Sequence, residues 1–197
     1  MSEPRISMLS IEEAKKVAAE MNVPEAIAEL SVFRILLRQP KLAKRVNDLL
    51  MTLLIGGDLD ARLRELIIMR IGWATGSVYE WTQHWRVALQ LGVPESDVLA
   101  VRDWREHEHW SEADRAILQA TDETLETGAV SRETWAECAK HLPTETEQLE
   151  LLGAIGTWRM ISQILRSLEV PLEDGVAAWP PDGLAPDGVA NAASEGA

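Results

Sequence analysis

The chain has 197 residues, a hydrophobic fraction of 46% and a formal net charge of −13 at pH 7. This composition indicates a soluble globular protein of one domain and argues against a disordered chain. The negative charge disfavours nucleic acids and anionic membrane surfaces as partners. No apolar run reaches the roughly 18 residues of a membrane span, and no signal-peptide pattern is evident, so we expect a cytoplasmic protein.

Capping residues and a helical apolar period account for most of residues 10–169, and no strand pattern is evident. We predict helices over about 10–20, 24–38, 41–55, 59–74, 77–91, 94–105, 111–127, 131–142 and 144–168. These predict an all-α, single-domain helical bundle. The helix over 59–74 is apolar on more than one face, so we expect part of its surface to contact another subunit.

The composition changes towards the C-terminus, where residues 180–197 are rich in Pro, Gly, Ala and Asp. Such a segment cannot bury a core, and we expect an extended arm followed by disorder. The predicted organisation is therefore a helical arm at 1–22, a helical domain at 23–170 and an extended, partly disordered tail at 171–197.

Cysteine usage limits the redox chemistry that is open to the chain. Cys138 is the one cysteine, so neither an intrachain disulfide nor a dithiol redox cycle can form. Because free cysteines tend to be buried, we expect Cys138 to fill space in a helix. The chain also has eight tryptophans, which we expect mainly in the core or at subunit contacts, with a few walling a pocket for a flat ligand.

A carboxylate and an imidazole share one face of the helix predicted over 77–91. Ser77, Glu80 and His84 lie at i, i+3 and i+7, which places them within an arc of about 60°. Val87 and Leu91 continue that face, so it is otherwise apolar. An apolar setting raises the pKa of a carboxyl group, and histidine titrates near neutral pH. The pattern therefore indicates a buried acid–base site.

The spacing of these residues carries a family resemblance. Glu65, eleven residues, Ser77, two residues, Glu80, three residues and His84 resemble the Glu-x11-Cys-x2-Cys-x3-His pattern of the alkylhydroperoxidase D and carboxymuconolactone decarboxylase family. Both cysteine positions are changed, and RLREL, Tyr79-Glu80-Trp81 and His84 are similar to the cysteine-free branch that includes the decarboxylases. The resemblance extends from about Phe33 to Pro181. It implies an all-α fold of the alkylhydroperoxidase D-like type and homotrimers or homohexamers.

We predict His84, Glu80 and Glu65 as the catalytic residues, with His84 and Glu80 acting as one proton-transfer unit. A Glu80–His84 pair that only orients the ring, and an ion pair between Glu65 and Arg62, are the structural alternatives. Substrate-binding candidates are Arg70, because arginine binds carboxylates in a bidentate manner, and four further residues, Ser77, Tyr79, Trp81 and Trp158. Ser77 suits a helix N-cap better than a nucleophile.

His107 and His109 form a His-x-His pair in a predicted loop. No third, distant ligand is evident, so we expect no metal and no other cofactor. The leading hypothesis is a cofactor-independent lyase (decarboxylase) or isomerase that acts on a small organic acid or carbonyl substrate. The alternatives are an alkylhydroperoxidase-type antioxidant activity, which the missing cysteine pair disfavours, and a non-catalytic binding or assembly protein.

Overall fold

Helices make up the regular structure of residues 4–189, which are the residues that the computed structural model describes. This confirms the all-α, single-domain fold class. The α-helices are α1 (Ile11–Glu20), α2 (Glu25–Ala28), α3 (Ser31–Leu36), α4 (Pro40–Leu54), α5 (Ala61–Thr75), α6 (Val78–Gln90), α7 (Glu95–Ala100), α8 (Glu112–Thr127), α9 (Arg132–His141) and α10 (Glu145–Ser167). A 3₁₀ turn covers Trp104–Glu106.

Local capping signals explain several helix ends. Ser10 and Glu13 form a capping box at the start of α1, and Ser111 and Asp114 form one at the start of α8. Each pair satisfies backbone N–H groups that have no partner in the first helical turn. Gly76 ends α5 at φ 67°, a left-handed conformation that costs glycine little.

Two predicted helices are wrong in extent, and a tertiary contact accounts for each. The helix predicted over 24–38 is two helices, because Leu30 is extended and the Ser31 N–H donates to the Glu173 carboxylate at 2.9 Å. The helix predicted over 94–105 ends at Ala100, and the carbonyls of Val101 and Arg102 each accept from Arg70 Nη1 at 2.9 Å. A sequence window does not contain these distant partners.

Two compact units can be distinguished within the domain, and the first comprises residues 4–56 with 163–176. In this unit the residues before α1 accept hydrogen bonds from side chains of α3 and of the residues that follow α3. Arg34 Nε donates to the Leu9 carbonyl at 2.7 Å, and Arg38 Nε donates to the Ser7 carbonyl at 2.9 Å. Phe33 and Leu37 are buried in the core of the unit.

The second unit comprises residues 57–162 with 177–189 and is built around α5. Helices α6, α7 and α8 contact α5, and its apolar residues Leu66, Ile67, Ile68, Met69 and Ile71 are completely buried. The face of α5 that carries these residues is covered by helices of the same chain. A subunit contact through the rest of this helix stays a prediction.

The segment after α10 contains no helix within the described residues, and from residue 177 it packs within the second unit. Trp179 is buried, and its backbone N–H donates to Thr82 Oγ1 at 3.3 Å. Asp182 forms a bidentate ion pair with Arg102, at 2.7 and 3.0 Å. The chain is thus anchored up to Asp182, whereas residues 190–197 lie outside the described part. The division into arm, domain and tail stays a prediction.

Candidate active site

Close packing of α5 against α6 positions the predicted site. A Cβ atom added to Gly72 of α5 would lie 3.1 Å from the backbone nitrogen of Trp81 in α6. A larger residue here would require α6 to move by a few tenths of an ångström, so glycine allows the close approach. The two helices therefore bring Glu65 and His84 together although 19 residues separate them in sequence.

His84 is hydrogen-bonded to Glu65, with His84 Nδ1 at 2.8 Å from Glu65 Oε2. The Glu65 side chain is fully buried, and its Oε1 accepts from Nε and Nη2 of Arg64 at 3.2 Å. Both carboxylate oxygens are therefore acceptors. The His84 side chain remains 15% exposed, so it is the member of the pair that a small molecule can reach more easily.

Trp158 of α10 fixes the tautomer of the His84 ring. Its indole Nε1–H lies 3.2 Å from His84 Nε2, and an indole nitrogen can only donate. Nε2 must then carry a lone pair, so the ring is neutral and its one proton is on Nδ1, where it is donated to Glu65. The result is a line of contacts from Arg64 through Glu65 and His84 to Trp158, in which each donor meets an acceptor.

Glu80 is bound elsewhere, so the predicted pairing of Glu80 with His84 is corrected. Its Oε2 is hydrogen-bonded to the hydroxyl of Ser162 in α10. The Ser162 hydroxyl in turn lies 3.2 Å from Thr75 Oγ1, which donates to the Ile71 carbonyl at 2.7 Å. Residues one helical turn apart share a face, but their rotamers lead these two side chains to different neighbouring helices.

Burial raises the pKa of Glu80 well above its ordinary value, and among the described residues its Oε1 has no hydrogen-bond partner. The Thr75 hydroxyl lies 3.2 Å from the Ser162 hydroxyl, which in turn donates to Glu80 Oε2. The hydrogen bond that Glu80 receives thus comes from a neutral hydroxyl.

Ser77 occupies the N-cap position of α6, as predicted, but its side chain makes no capping bond. The hydroxyl is buried and is without a hydrogen-bond partner in the described part of the chain. The N-cap prediction is therefore right in position and wrong in mechanism.

The predicted ion pair between Arg62 and Glu65 is also wrong. Arg62 binds Asp97 at 2.6 Å and Asp114 at 2.5 Å, and Glu65 is instead bound by Arg64 and His84. Positions three apart on a helix can meet, but here Arg62 points to α7 and α8. Burial opposes ionisation of Asp114, yet its bonds to Arg62 leave the pKa of that carboxyl below its ordinary value.

Arg70 uses four of its five N–H groups in bonds within the protein. Nε and Nη2 bind the two oxygens of Asp122 at 2.6 and 3.1 Å, and Nη1 donates to the carbonyls of Val101 and Arg102. The bidentate geometry that would suit a substrate carboxylate is thus occupied by an internal one. A substrate-binding role for Arg70 stays a prediction.

Of the predicted aromatic binding residues, Trp158 contacts His84, whereas Tyr79 and Trp81 are buried. Trp81 donates its indole N–H to the Pro180 carbonyl at 2.8 Å. Its ring centroid lies within 6.2 Å of those of three other tryptophans, Trp73, Trp85 and Trp179. The sequence analysis did not single out Trp179, Ser162 or Arg64, since nothing in one sequence marks distant residues as neighbours.

His107 and His109 have carboxylate partners of their own. His107 Nε2 lies 3.0 Å from Asp103, and His109 Nε2 lies 3.5 Å from Asp97. No group of three or more His, Cys, Asp or Glu residues that could hold a metal ion is found within residues 4–189. Cys138 is buried, and burial, followed by the nearby Glu123 carboxylate, raises the pKa of its thiol to about 11. Its thiolate form is therefore rare at neutral pH.

Residues 40–123 match the carboxymuconolactone decarboxylase family. Over these residues the chain is similar to that family. The matched residues include Glu65, Ser77, Glu80 and His84, so the resemblance in their spacing is confirmed. No curated protein matches the sequence significantly. No helix among residues 4–189 is long and apolar enough to cross a bilayer.

Solved structures support the same fold at low identity. A peroxidase-related protein from Silicibacter sp. TM1040 is 12% identical, with a TM-score of 0.69 over 89% of this chain and 95% of that one. A protein of unknown function from Agrobacterium tumefaciens, a candidate antioxidant defence protein AhpD, is 22% identical, with a TM-score of 0.64 over 69% and 93%. The debrominase Bmp8, in a variant bound to 2,3,4-tribromopyrrole, is 17% identical, with a TM-score of 0.64 over 83% and 86%.

Proposed function

We propose that the protein is a cofactor-independent lyase or isomerase that moves a proton on a small organic acid or carbonyl substrate, with Glu65 and His84 as its acid–base pair. The observation that carries the proposal is the 2.8 Å bond between a fully buried Glu65 and a partly exposed His84. A base that is oriented by a buried carboxylate is a common arrangement for proton transfer near neutral pH.

In this proposal His84 Nε2 is the reacting atom. The substrate displaces the Trp158 N–H from Nε2, and the lone pair takes a proton from a carbon next to the carbonyl group. The imidazolium that results keeps its Nδ1–H on Glu65, whose negative charge stabilises it. An isomerase returns the proton to another carbon. A decarboxylase instead first takes up a proton from solvent at Nε2, and the imidazolium then gives this proton to the enolate that remains after carbon dioxide leaves.

Glu80 has a different part in this proposal from the one that its spacing predicts. It is held away from His84 by Ser162, and burial raises its pKa well above the ordinary value, which favours the protonated form. It serves as a second proton donor if the substrate reaches its free oxygen. The proton-transfer unit is therefore Glu65 with His84, and Glu80 is tested separately.

A binding or assembly protein on the same scaffold is the second candidate. The observation that favours it is that both ring nitrogens of His84 already have partners in the protein, Glu65 and Trp158. A dithiol peroxidase is disfavoured, since Cys138 is the one cysteine and its thiol is buried. The family resemblance supports a homotrimer or homohexamer as the assembly and a small molecule as the ligand, and the cytoplasm stays the expected location.

Hydrogen–deuterium exchange at carbon tests this function across a range of candidate substrates. The protein is incubated in D₂O with a panel of small keto acids, unsaturated acids and lactones, and deuterium at carbon is followed by NMR. His84→Gln and Glu65→Gln should each lower the exchange rate about 10²–10⁴-fold, and the double variant should lose little more. Exchange by the parent protein that persists in a folded His84→Gln variant would overturn the proposal, and no exchange with any compound would favour the binding protein.

A further inference from the structure

One face of α10 is exposed and largely apolar over about four turns. At 100° per residue its members fall within an arc of about 100°. Leu149 is 71% exposed, Leu152 is 40% exposed and Met160 is 37% exposed. We call the α10 face the set Glu145, Leu149, Leu152, Gly153, Gly156 and Met160, of which Gly153 is half-buried and the others are exposed. A surface helix normally directs its leucines inwards, so an exposed apolar row suggests a partner.

Large and small residues follow each other along the α10 face in a self-complementary order. Leu149 and Leu152 are followed by Gly153 and Gly156. If a second α10 lies antiparallel, with a two-fold axis between positions 152 and 153, Leu149 faces Gly156 of the other copy and Leu152 faces Gly153. A Cβ atom at Gly156 would meet nothing within 4 Å, so this position is an open depression that a leucine side chain can fill.

The charged residues near the two ends of the α10 face also favour a second copy of the chain in the antiparallel direction. In the antiparallel register Arg159 of one copy lies opposite position 146 of the other, next to Glu145. Both residues are exposed, and both lie on the same edge of the face. A parallel arrangement would instead place Glu145 beside Glu145 and Arg159 beside Arg159, which is unfavourable. Charge complementarity therefore favours a second copy of the chain in the antiparallel orientation.

We propose that two copies of this chain associate through their α10 faces, antiparallel, about a two-fold axis between Leu152 and Gly153. The contact is isologous, so each copy gives its leucines and receives those of its partner. A closed trimer has no two-fold axis and cannot contain this contact, whereas a dimer or a hexamer with both two-fold and three-fold axes can. The opposite side of α10 carries Trp158, so the association would also brace the helix that holds the His84 tautomer.

Cysteine cross-linking tests the register directly, because the single native cysteine is buried. Leu152→Cys lies next to the proposed axis and should form a disulfide-linked dimer under mild oxidation. Glu145→Cys and Met160→Cys are matched controls on the same face. At a rise of 1.5 Å per residue, each lies about 22 Å along the helix axis from the same position in the other copy, whereas Glu145 of one copy lies opposite Met160 of the other. Neither variant alone should therefore form a cross-linked dimer. A mixture of the two should give at least about tenfold more cross-linked dimer than either variant alone.

Sedimentation of Leu149→Glu provides the second measurement. This exposed substitution should leave the helical circular dichroism unchanged and weaken the two-fold association at least about tenfold, since it places a charge in the glycine depression. Four results would each overturn the proposal: a monomeric parent protein at micromolar concentration, linking by Met160→Cys alone, no linking in the mixture, or a Leu149→Glu variant that associates as well as the parent. None of these depends on the proposed enzymatic activity.

Discussion

Glu65 and Glu80 are two buried carboxyl groups on neighbouring helices, yet their surroundings are opposite in kind. Glu65 is completely buried and touches a guanidinium and an imidazole N–H. Glu80 is 2% exposed, and in the described part of the chain its hydrogen bonding is limited to the hydroxyl of Ser162. Burial without a charged donor raises the pKa of Glu80 well above its ordinary value. The comparison teaches that equal burial can leave one carboxyl group facing charged donors and another facing a single hydroxyl.

Substitution of Glu65 should have the largest effect on the free energy of unfolding. Glu65→Gln places an amide N–H₂ against either Arg64 or His84 Nδ1–H, and the charge that faced the guanidinium is lost. The free energy of unfolding should fall by about 4 kcal/mol, as when one partner of a buried ion pair is removed. Urea denaturation measures this change, and Glu80→Gln at pH 5 is the matched control, which should stay within about 1 kcal/mol of the parent. Equal losses in the two variants would contradict the comparison.

The second-largest expected effect is the pH dependence that Glu80 gives to the free energy of unfolding. Because the pKa of folded Glu80 is raised, the folded state keeps a proton that the unfolded chain loses near pH 4. The contribution of Glu80 is therefore fully present at lower pH and is lost as pH rises towards the folded pKa, by at most about 1.4 kcal/mol per pH unit. Glu80→Gln has no proton to lose, so it should become more stable than the parent as pH rises from 5 to 8. Parallel stability curves for the two proteins would show that Glu80 is ionised when folded.

Ser162→Ala should have a moderate effect. It removes the hydroxyl that Glu80 contacts, and a buried polar group without its partner costs about 2 kcal/mol. Thermal unfolding at pH 5 reports the change. Ser167→Ala, at an exposed position of the same helix, is the control and should alter the stability by less than about 0.5 kcal/mol. A loss in Ser162→Ala as small as that in the control would mean that Glu80 needs no partner.

The smallest expected effect concerns the tautomer of His84. Trp158→Phe keeps an aromatic ring but removes the N–H that meets Nε2, at a cost of about 1 kcal/mol. Nitrogen-15 NMR of the imidazole should show the Nδ1–H form alone in the parent and both neutral tautomers in the variant. A His141→Gln background removes one of the other three histidine signals and helps assignment. An unchanged tautomer in Trp158→Phe would show that Glu65 alone fixes the ring.

The residues of the candidate site were predicted from the sequence, but their pairing was not. The spacing of Glu65, Ser77, Glu80 and His84 leads to the correct family and to the correct two helices. It also places Glu80 one turn from His84, and this proximity suggested a pair. The structure joins His84 to Glu65 and Glu80 to Ser162, since side-chain torsions and the neighbouring helices decide which groups meet.

The anchoring of the C-terminal segment could not have been read from composition. A run rich in Pro, Gly, Ala and Asp predicts an extended arm followed by disorder, and it does not predict that Trp179 packs among Trp73 and Trp81 or that Asp182 binds Arg102. One large apolar side chain and one ion pair anchor a segment that contains no helix. Composition averages over the few residues that make these contacts.

The sequence by itself determined what depends on neighbours along the chain: the capped helix starts at Ser10 and Ser111, the left-handed glycine at Gly76 and the absence of a second cysteine. Only the tertiary structure decided which donors each buried acid meets. A carboxyl group responds to donors within about 3 Å, and Ser162 lies 82 residues from Glu80 in sequence. Local rules act over a helical turn, whereas the electrostatics of a buried site depend on whichever residues the fold brings into contact.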